Sequence, residues 1–140
     1  NKSIAKDTVE IFQELYDMQY PIESIRLIDD YGADDTKSME ANNTSAFNYR
    51  IVEGTSHLSK HAYGRAIDIN PRVNPFVKRN SITPENGKIY AQRDVKKCKG
   101  KYKYNMIHRN DRVYRIFRKH GFQWGGDWIT YKDYQHFEKR

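Results

Sequence analysis

The residues able to bind a metal, move a proton or stabilise charge gather in two stretches. The first is Ser59-Lys-His61-Ala-Tyr-Gly64-Arg-Ala66-Ile-Asp68. The second is Trp124-Gly-Gly-Asp127-Trp128, followed by Asp133-Tyr-Gln-His136-Phe-Glu138. Two imidazoles and one carboxylate suit a catalytic zinc that keeps its fourth position for water. Such an ion lowers the pKa of that water to about 7, and another carboxylate nearby can accept the proton. Spacing alone leaves a plainer reading open, in which each histidine is structural and Asp68, between Ile67 and Ile69, faces solvent from a strand. His57 and His61 stand four apart, as on one face of a helix. The intervening Leu58, Ser59 and Lys60 supply no base, and Gly54, Thr55 and Gly64 disfavour a helix there. His61 must therefore find its partners elsewhere in the chain. Positions 61 and 68 of a continuous strand would face opposite ways, so both reach one ion only if the chain bends, where Gly64 and Ala66 are small.

The elements that must carry these groups are partly visible in the pattern. Residues 3–18 predict an amphipathic helix with Val9, Phe12 and Tyr16 on its apolar face, flanked by Ile11 and Leu15. Lys6, Asp7, Glu10, Glu14 and Asp17 are expected to point largely outward. Alternation predicts strands over 22–30, 46–52 and 64–70, a polar loop over 32–44, and a short strand near 134–138. Asn110 or Asp111 can cap a helix whose apolar side is Val113, Ile116, Phe117 and His120, with Gly121 as its stop. Residues 71–109 show little periodicity and read as a long irregular segment. The order helix, strands, loop, helix, strand predicts an α+β chain folded as a single domain over 1–140.

Composition narrows the classes further. The 140 residues hold one cysteine, Cys98, which excludes an intrachain disulfide and a cysteine-rich zinc cluster. No apolar run approaches the ~20 residues of a membrane span. Eleven Tyr and six Phe argue against disorder. The net charge of +7 is uneven: residues 77–119 carry fourteen Lys and Arg against three Asp and Glu, whereas 1–76 carry eight against twelve. A basic middle reads either as a solvated face or as a seat for a polyanion. A nuclease or other nucleic-acid-binding protein is one reading of it, with Tyr102 and Tyr104 among lysines. No nucleic-acid motif accompanies them, so nucleic acid is not the expected partner. The chain begins at Asn1 without Met, charged n-region or apolar stretch, so it reads as a trimmed or mature fragment whose export signal lies outside it.

The run S-x-H-x-x-G-x-A-x-D with a later D-x-x-H-F resembles the zinc peptidases of peptidoglycan. These include D-alanyl-D-alanine carboxypeptidases and dipeptidases and the L-alanyl-D-glutamate endopeptidases of phage lysins. Residues 40–138 carry the resemblance, which extends to Asn42–Arg50 and to the Ile69-Asn-Pro-x-x-Asn-Pro75 run. The WGGDW and YQHF features place it nearest the L-alanyl-D-glutamate type. It implies a Hedgehog/DD-peptidase-like fold, a small antiparallel sheet flanked by helices. It implies Zn2+ held by His61, Asp68 and His136, with Asp133 as general base where some members have Glu. It also implies Arg50 as the donor to the scissile carbonyl and Ser59 as a substrate or ligand contact. Asp127 is a candidate to orient a ligand imidazole; Trp128 and Trp124 can line a cleft or fill the core, the core being favoured for Trp124. The implied partner is the stem peptide of peptidoglycan, with an anionic cell-wall polymer as a second. The implied location is extracellular or in the cell envelope, with a phage lysin as one origin. A non-catalytic wall-binding domain of the same fold is the alternative, although such a module has no need of Asp133 beside His136. Which stem-peptide bond is cut is not legible in these motifs.

Overall fold

The Asn1 side chain accepts the backbone N–H of Ser3, and from this cap helix α1 runs over Lys2–Asp17. The computed structural model describes residues 1–52 and 54–140. The buried stripe of α1 is Ile4, Ile11 and Leu15, whereas Val9 and Tyr16 are exposed. The helix is where the pattern predicts it, but its core face is rotated, because the helix over Arg112–Lys119 and the strand layer meet it on the Ile4 side. Asp7 and Glu14 do not point freely outward either. Lys139 Nζ donates to Asp7 at 2.7 Å, and Glu14 engages His120 at 2.9 Å and Lys119 at 3.1 Å.

The strand expected over 22–30 is only β1 (Ser24–Ile25), followed by a 3₁₀ turn at Ile28–Tyr31. The expected 32–44 loop contains α2 (Asp35–Glu40), capped by Asp34, and β2 (Asn43–Thr44). Side chains override the turn-rich composition here: Asn43 bonds Ser24, Arg26 and Ser38 at once, tying β1, β2 and α2 together. Residues 46–52 form no regular strand, yet they run antiparallel to 57–61 through Asn48 N–His61 O, Ser59 N–Arg50 O and Val52 N–His57 O bonds.

Where one small antiparallel sheet is expected, the described residues form two, each of three strands. One has the order β3 (Ala66–Asp68), β8 (His136–Glu138), β6 (Gln123–Trp124). The other has the order β5 (Ser81–Thr83), β4 (Phe76–Lys78), β7 (Lys132–Asp133). β1 and β2 add a parallel pair. Helix α3 spans Arg112–Lys119, capped by Asp111 and followed by Gly121 in the left-handed region that suits glycine. It buries Val113, Tyr114 and Phe117 against the first sheet, where Phe117 stacks on Phe137 with ring centroids 3.8 Å apart. His120 leaves that apolar side and turns to the α1 carboxylates. Trp124 is buried in this core, as favoured.

Residues 71–109 are better organised than their composition predicts. Val73, Tyr90, Cys98 and Met106 build a second small core. The guanidinium of Arg93 ties it to the first by donating to the carbonyls of Val73, Tyr90 and Ile107 and to Asn74 Oδ1. Its planar fork can satisfy carbonyls from several loops at once, which holds the segment without regular periodicity. The main core should be the more sensitive. Phe137→Ala should cost about 3–5 kcal/mol, the usual cost of emptying a buried aromatic site, read as a lower urea midpoint at unchanged slope.

Candidate metal centre and active site

Asp68 on β3 and His136 on β8 are direct cross-strand partners. Side chains opposite one another in an antiparallel pair leave the same face of the sheet and start about 5 Å apart. Ser45 pairs with Asp68 on its other side by two backbone hydrogen bonds of 3.1 and 2.8 Å. His61 arrives from outside the sheet, on the turn between Ser59 and Arg65. That turn is closed by Ala62 N–Ser59 O and Gly64 N–His61 O bonds, with Gly64 at φ +61. This is the bend that the face parity of 61 and 68 demands.

Three donor atoms meet in a buried spot. His61 Nε2 lies 3.2 Å from Asp68 Oδ1 and 3.1 Å from His136 Nδ1, and His136 Nδ1 lies 3.1 Å from Asp68 Oδ1. The outer nitrogens are also engaged. His61 Nδ1 is 2.7 Å from the Ala46 carbonyl, and His136 Nε2 is 3.2 Å from Glu138 Oε2. Protons on those outer nitrogens leave both inner lone pairs facing Asp68. Such an arrangement is repulsive unless a proton or a metal cation lies among the three atoms. A tetrahedral ion with bonds of about 2.0–2.1 Å requires its ligand atoms about 3.3 Å apart, close to the observed edges. The donor set therefore fits a divalent metal, and zinc in particular suits two imidazoles and a carboxylate.

The electrostatics agree with that crowding. Burial alone would raise the carboxyl of Asp68, but the facing imidazoles outweigh it and hold the group well below the carboxylate range. Burial would lower His136, yet its bonds to Asp68 and Glu138 hold it up at about 10. Asp133 is the reverse case, since burial pushes its carboxyl up to about 6 while His136 pulls it down and Asp68 pushes it further up. Its Oδ1 is buried and without a hydrogen-bond partner. Asp133 sits on β7 opposite Phe76 of β4, so the second sheet delivers it to the ligands of the first. Gly125 lets them meet: a Cβ there would stand 2.8 Å from Asp133 Cβ and 3.3 Å from His136 Cβ.

The other sequence candidates lie differently. Ser59 is buried, and its Oγ accepts the His61 backbone N–H at 3.2 Å, so it holds the ligand turn. Trp128 packs beside His136 with ring centroids 5.3 Å apart. Asp127 does not reach a ligand imidazole; its Oδ2 accepts the Tyr114 hydroxyl at 3.1 Å, and Oδ1 lies 3.5 Å from Arg109 Nε. The acceptors that orient the imidazoles are the Ala46 carbonyl and Glu138. Glu138, two residues beyond His136 and so on the same strand face, carried that signal in its spacing. The guanidinium of Arg50 pairs with Asp35, Nε to Oδ2 at 2.9 Å. A second cluster of possible ligands, Asp7, Glu10 and His120, lies between α1 and α3. Its carboxylates are paired, Asp7 with Lys139 and Glu10 with Lys6, and both lie within ion-pair reach of His120, which makes it an ion-pair seam.

A family model described as D-alanyl-D-alanine carboxypeptidase matches residues 53–139. The chain belongs to this peptidase family. The match takes in Ser59, His61, Asp68, Asp127, Trp128, Asp133 and His136, whereas Arg50 lies just before it. No curated protein and no solved structure matches the chain.

These placements separate a candidate ligand from a carboxylate that faces elsewhere, and metal binding tells them apart. His61→Ala should abolish stoichiometric metal uptake, measured by atomic emission after dialysis, while Asp127→Asn should retain it. Gly125→Ala should weaken affinity in a chelator competition, because its methyl group would force Asp133 and His136 apart.

Proposed function

We propose that this protein is a zinc-dependent peptidase that hydrolyses an amide bond in the stem peptide of bacterial peptidoglycan. The observation that carries the reading is the buried triangle of His61 Nε2, Asp68 Oδ1 and His136 Nδ1, with edges of 3.1–3.2 Å, in a chain of a peptidase family. These three residues would hold the ion. When bound, zinc supplies a Lewis acid that polarises the amide and acidifies water near neutral pH.

The remaining steps belong to the chain's own residues. Asp133, buried and with a free Oδ1, takes a proton from the attacking water as its oxygen bonds to the carbonyl carbon. The same carboxyl then returns the proton to the leaving amine as the C–N bond breaks. Arg50 donates to the carbonyl oxygen while negative charge builds there, a task suited to a permanently charged fork. Ser59 fixes the turn that presents His61, and Trp128 walls the site beside His136.

The family description points to removal of a terminal D-alanine, whereas the WGGDW and YQHF motifs favour an L-alanyl-D-glutamate endopeptidase. Mass spectrometry of defined muropeptides after digestion distinguishes them by the fragment released. The substrate places the enzyme outside the cell or in the envelope, and no helix among the described residues is long and apolar enough to cross a membrane. Lys96, Lys97, Lys99 and Lys101 are exposed on the basic segment, where they can hold the enzyme against an anionic wall polymer. Binding to isolated walls should therefore weaken as salt rises.

Arg50→Ala should keep its metal and lose about 100–1,000-fold in kcat, the usual cost of a missing oxyanion donor. Asp133→Asn should keep its metal and lose nearly all turnover. The base must be ionised to act, and Asp133 titrates at about 6 before the charge of a bound cation draws it down. The rate should therefore fall on the acid side, with its limb at or below about 6. A pH profile whose acid limb lies above neutrality would reject Asp133 as the base.

A further inference from the structure

The residue that would polarise the substrate carbonyl stands on a segment with no regular strand to stiffen it. Residues 46–52 are held to 57–61 on one side, and Phe47, Tyr49 and Ile51 are exposed along them. An arginine side chain has many rotamers, so a donor acting on a transition state must be restrained beforehand.

We propose that Asp35 is the positioning residue for Arg50. Its Oδ2 lies 2.9 Å from Arg50 Nε, and its Oδ1 accepts Asn48 Nδ2 at 2.8 Å. One carboxylate thus grips two alternate residues of the same segment, leaving Phe47, Tyr49 and Ile51 between and beyond them to the other side. The grip extends to the turn that carries His61: Asn48 N donates to His61 O at 3.4 Å, and Ser59 N donates to Arg50 O at 3.0 Å. Asp35 itself is well anchored. It opens α2, whose Ser38 is buried and accepts Asn43 Nδ2 at 3.0 Å, and Asn43 in turn is bonded to β1. Arg50 Nε is buried, and the contact with Asp35 is an ion pair rather than an aligned hydrogen bond. Asp35 therefore holds the guanidinium by its Nε side. Among the described residues neither Nη atom has a partner, which leaves that edge for a carbonyl oxygen. The pair is about one-third exposed at Arg50, so its value lies in orientation more than in stability.

This inference rests on the role given to Arg50 above, and the test separates the two. Asp35→Asn keeps the shape and the acceptor for Asn48 but removes the charge that holds Arg50. It should bind metal and melt as the parent does, with KM little changed and kcat reduced about tenfold. In an Arg50→Ala background the same change should lower kcat no further, because the two act as one unit. Asp35→Glu, which restores the charge on a longer arm, should recover part of the loss. If Arg50→Ala is impaired but folded, metal-loaded Asp35→Asn turns over like the parent, the positioning role is overturned and the role of Arg50 survives. Multiplicative losses in the double variant overturn it as well. Parental turnover in Arg50→Ala would overturn both.

Discussion

The candidate site depends on one cross-strand pairing. Asp68 and His136 are 68 residues apart in the chain, yet the β3–β8 register sets them opposite each other. Because side-chain direction alternates along a strand, a slip of one residue would turn either side chain away from the other. The register is defended by apolar neighbours on the opposite face, where Ile67 and Phe137 are buried and paired. Stacking of Phe137 on Phe117 of α3 closes that face. The same core that stabilises the domain therefore aims Asp68 and His136 at one another.

Around that pair the fold brings in groups from unrelated places. A turn bent at Gly64 supplies His61, the second sheet supplies Asp133, and a glycine at 125 lets the two sheets approach. The outer nitrogens of both imidazoles are occupied by the Ala46 carbonyl and Glu138, which fixes the tautomers before any ion arrives. Among the described residues Asp133 Oδ1 is buried without a hydrogen-bond partner, an arrangement that costs energy. Its raised pKa and the depressed pKa of Asp68 arise in one small volume, with neighbouring carboxylates set apart by which of them faces the imidazoles.

The basic segment has a different meaning in the folded chain than in the sequence. Its lysines surround a small core of Val73, Tyr90, Cys98 and Met106, and Arg93 spends its charge inside on backbone carbonyls. Burial lowers the pKa of Arg93 to about 10, yet it remains cationic at neutral pH. What composition presents as one positive block is one internal tie and a set of exposed lysines and arginines. Only the exposed set is available to an anionic partner.

The helices at either end and the α+β class were legible because capping residues and apolar spacing are local signals. The candidate ligands and the Asp133 carboxylate were legible through motifs whose residue types restrict the chemistry they can serve. The core face of α1 was not, since Ile4, Ile11 and Leu15 differ from Val9 and Tyr16 only in what packs against them. Asp127 was misjudged for a similar reason: a carboxylate between two tryptophans has no local mark saying whether it meets an imidazole or Tyr114. The sequence by itself determined which groups can hold a metal and move a proton, because side-chain chemistry is inherent in residue type. Only the tertiary structure decided which carboxylate meets the two imidazoles, which keeps a buried oxygen without a partner among the described residues, and which pairs with Arg50. Those roles are set by distance, burial and register between segments that local sequence cannot connect.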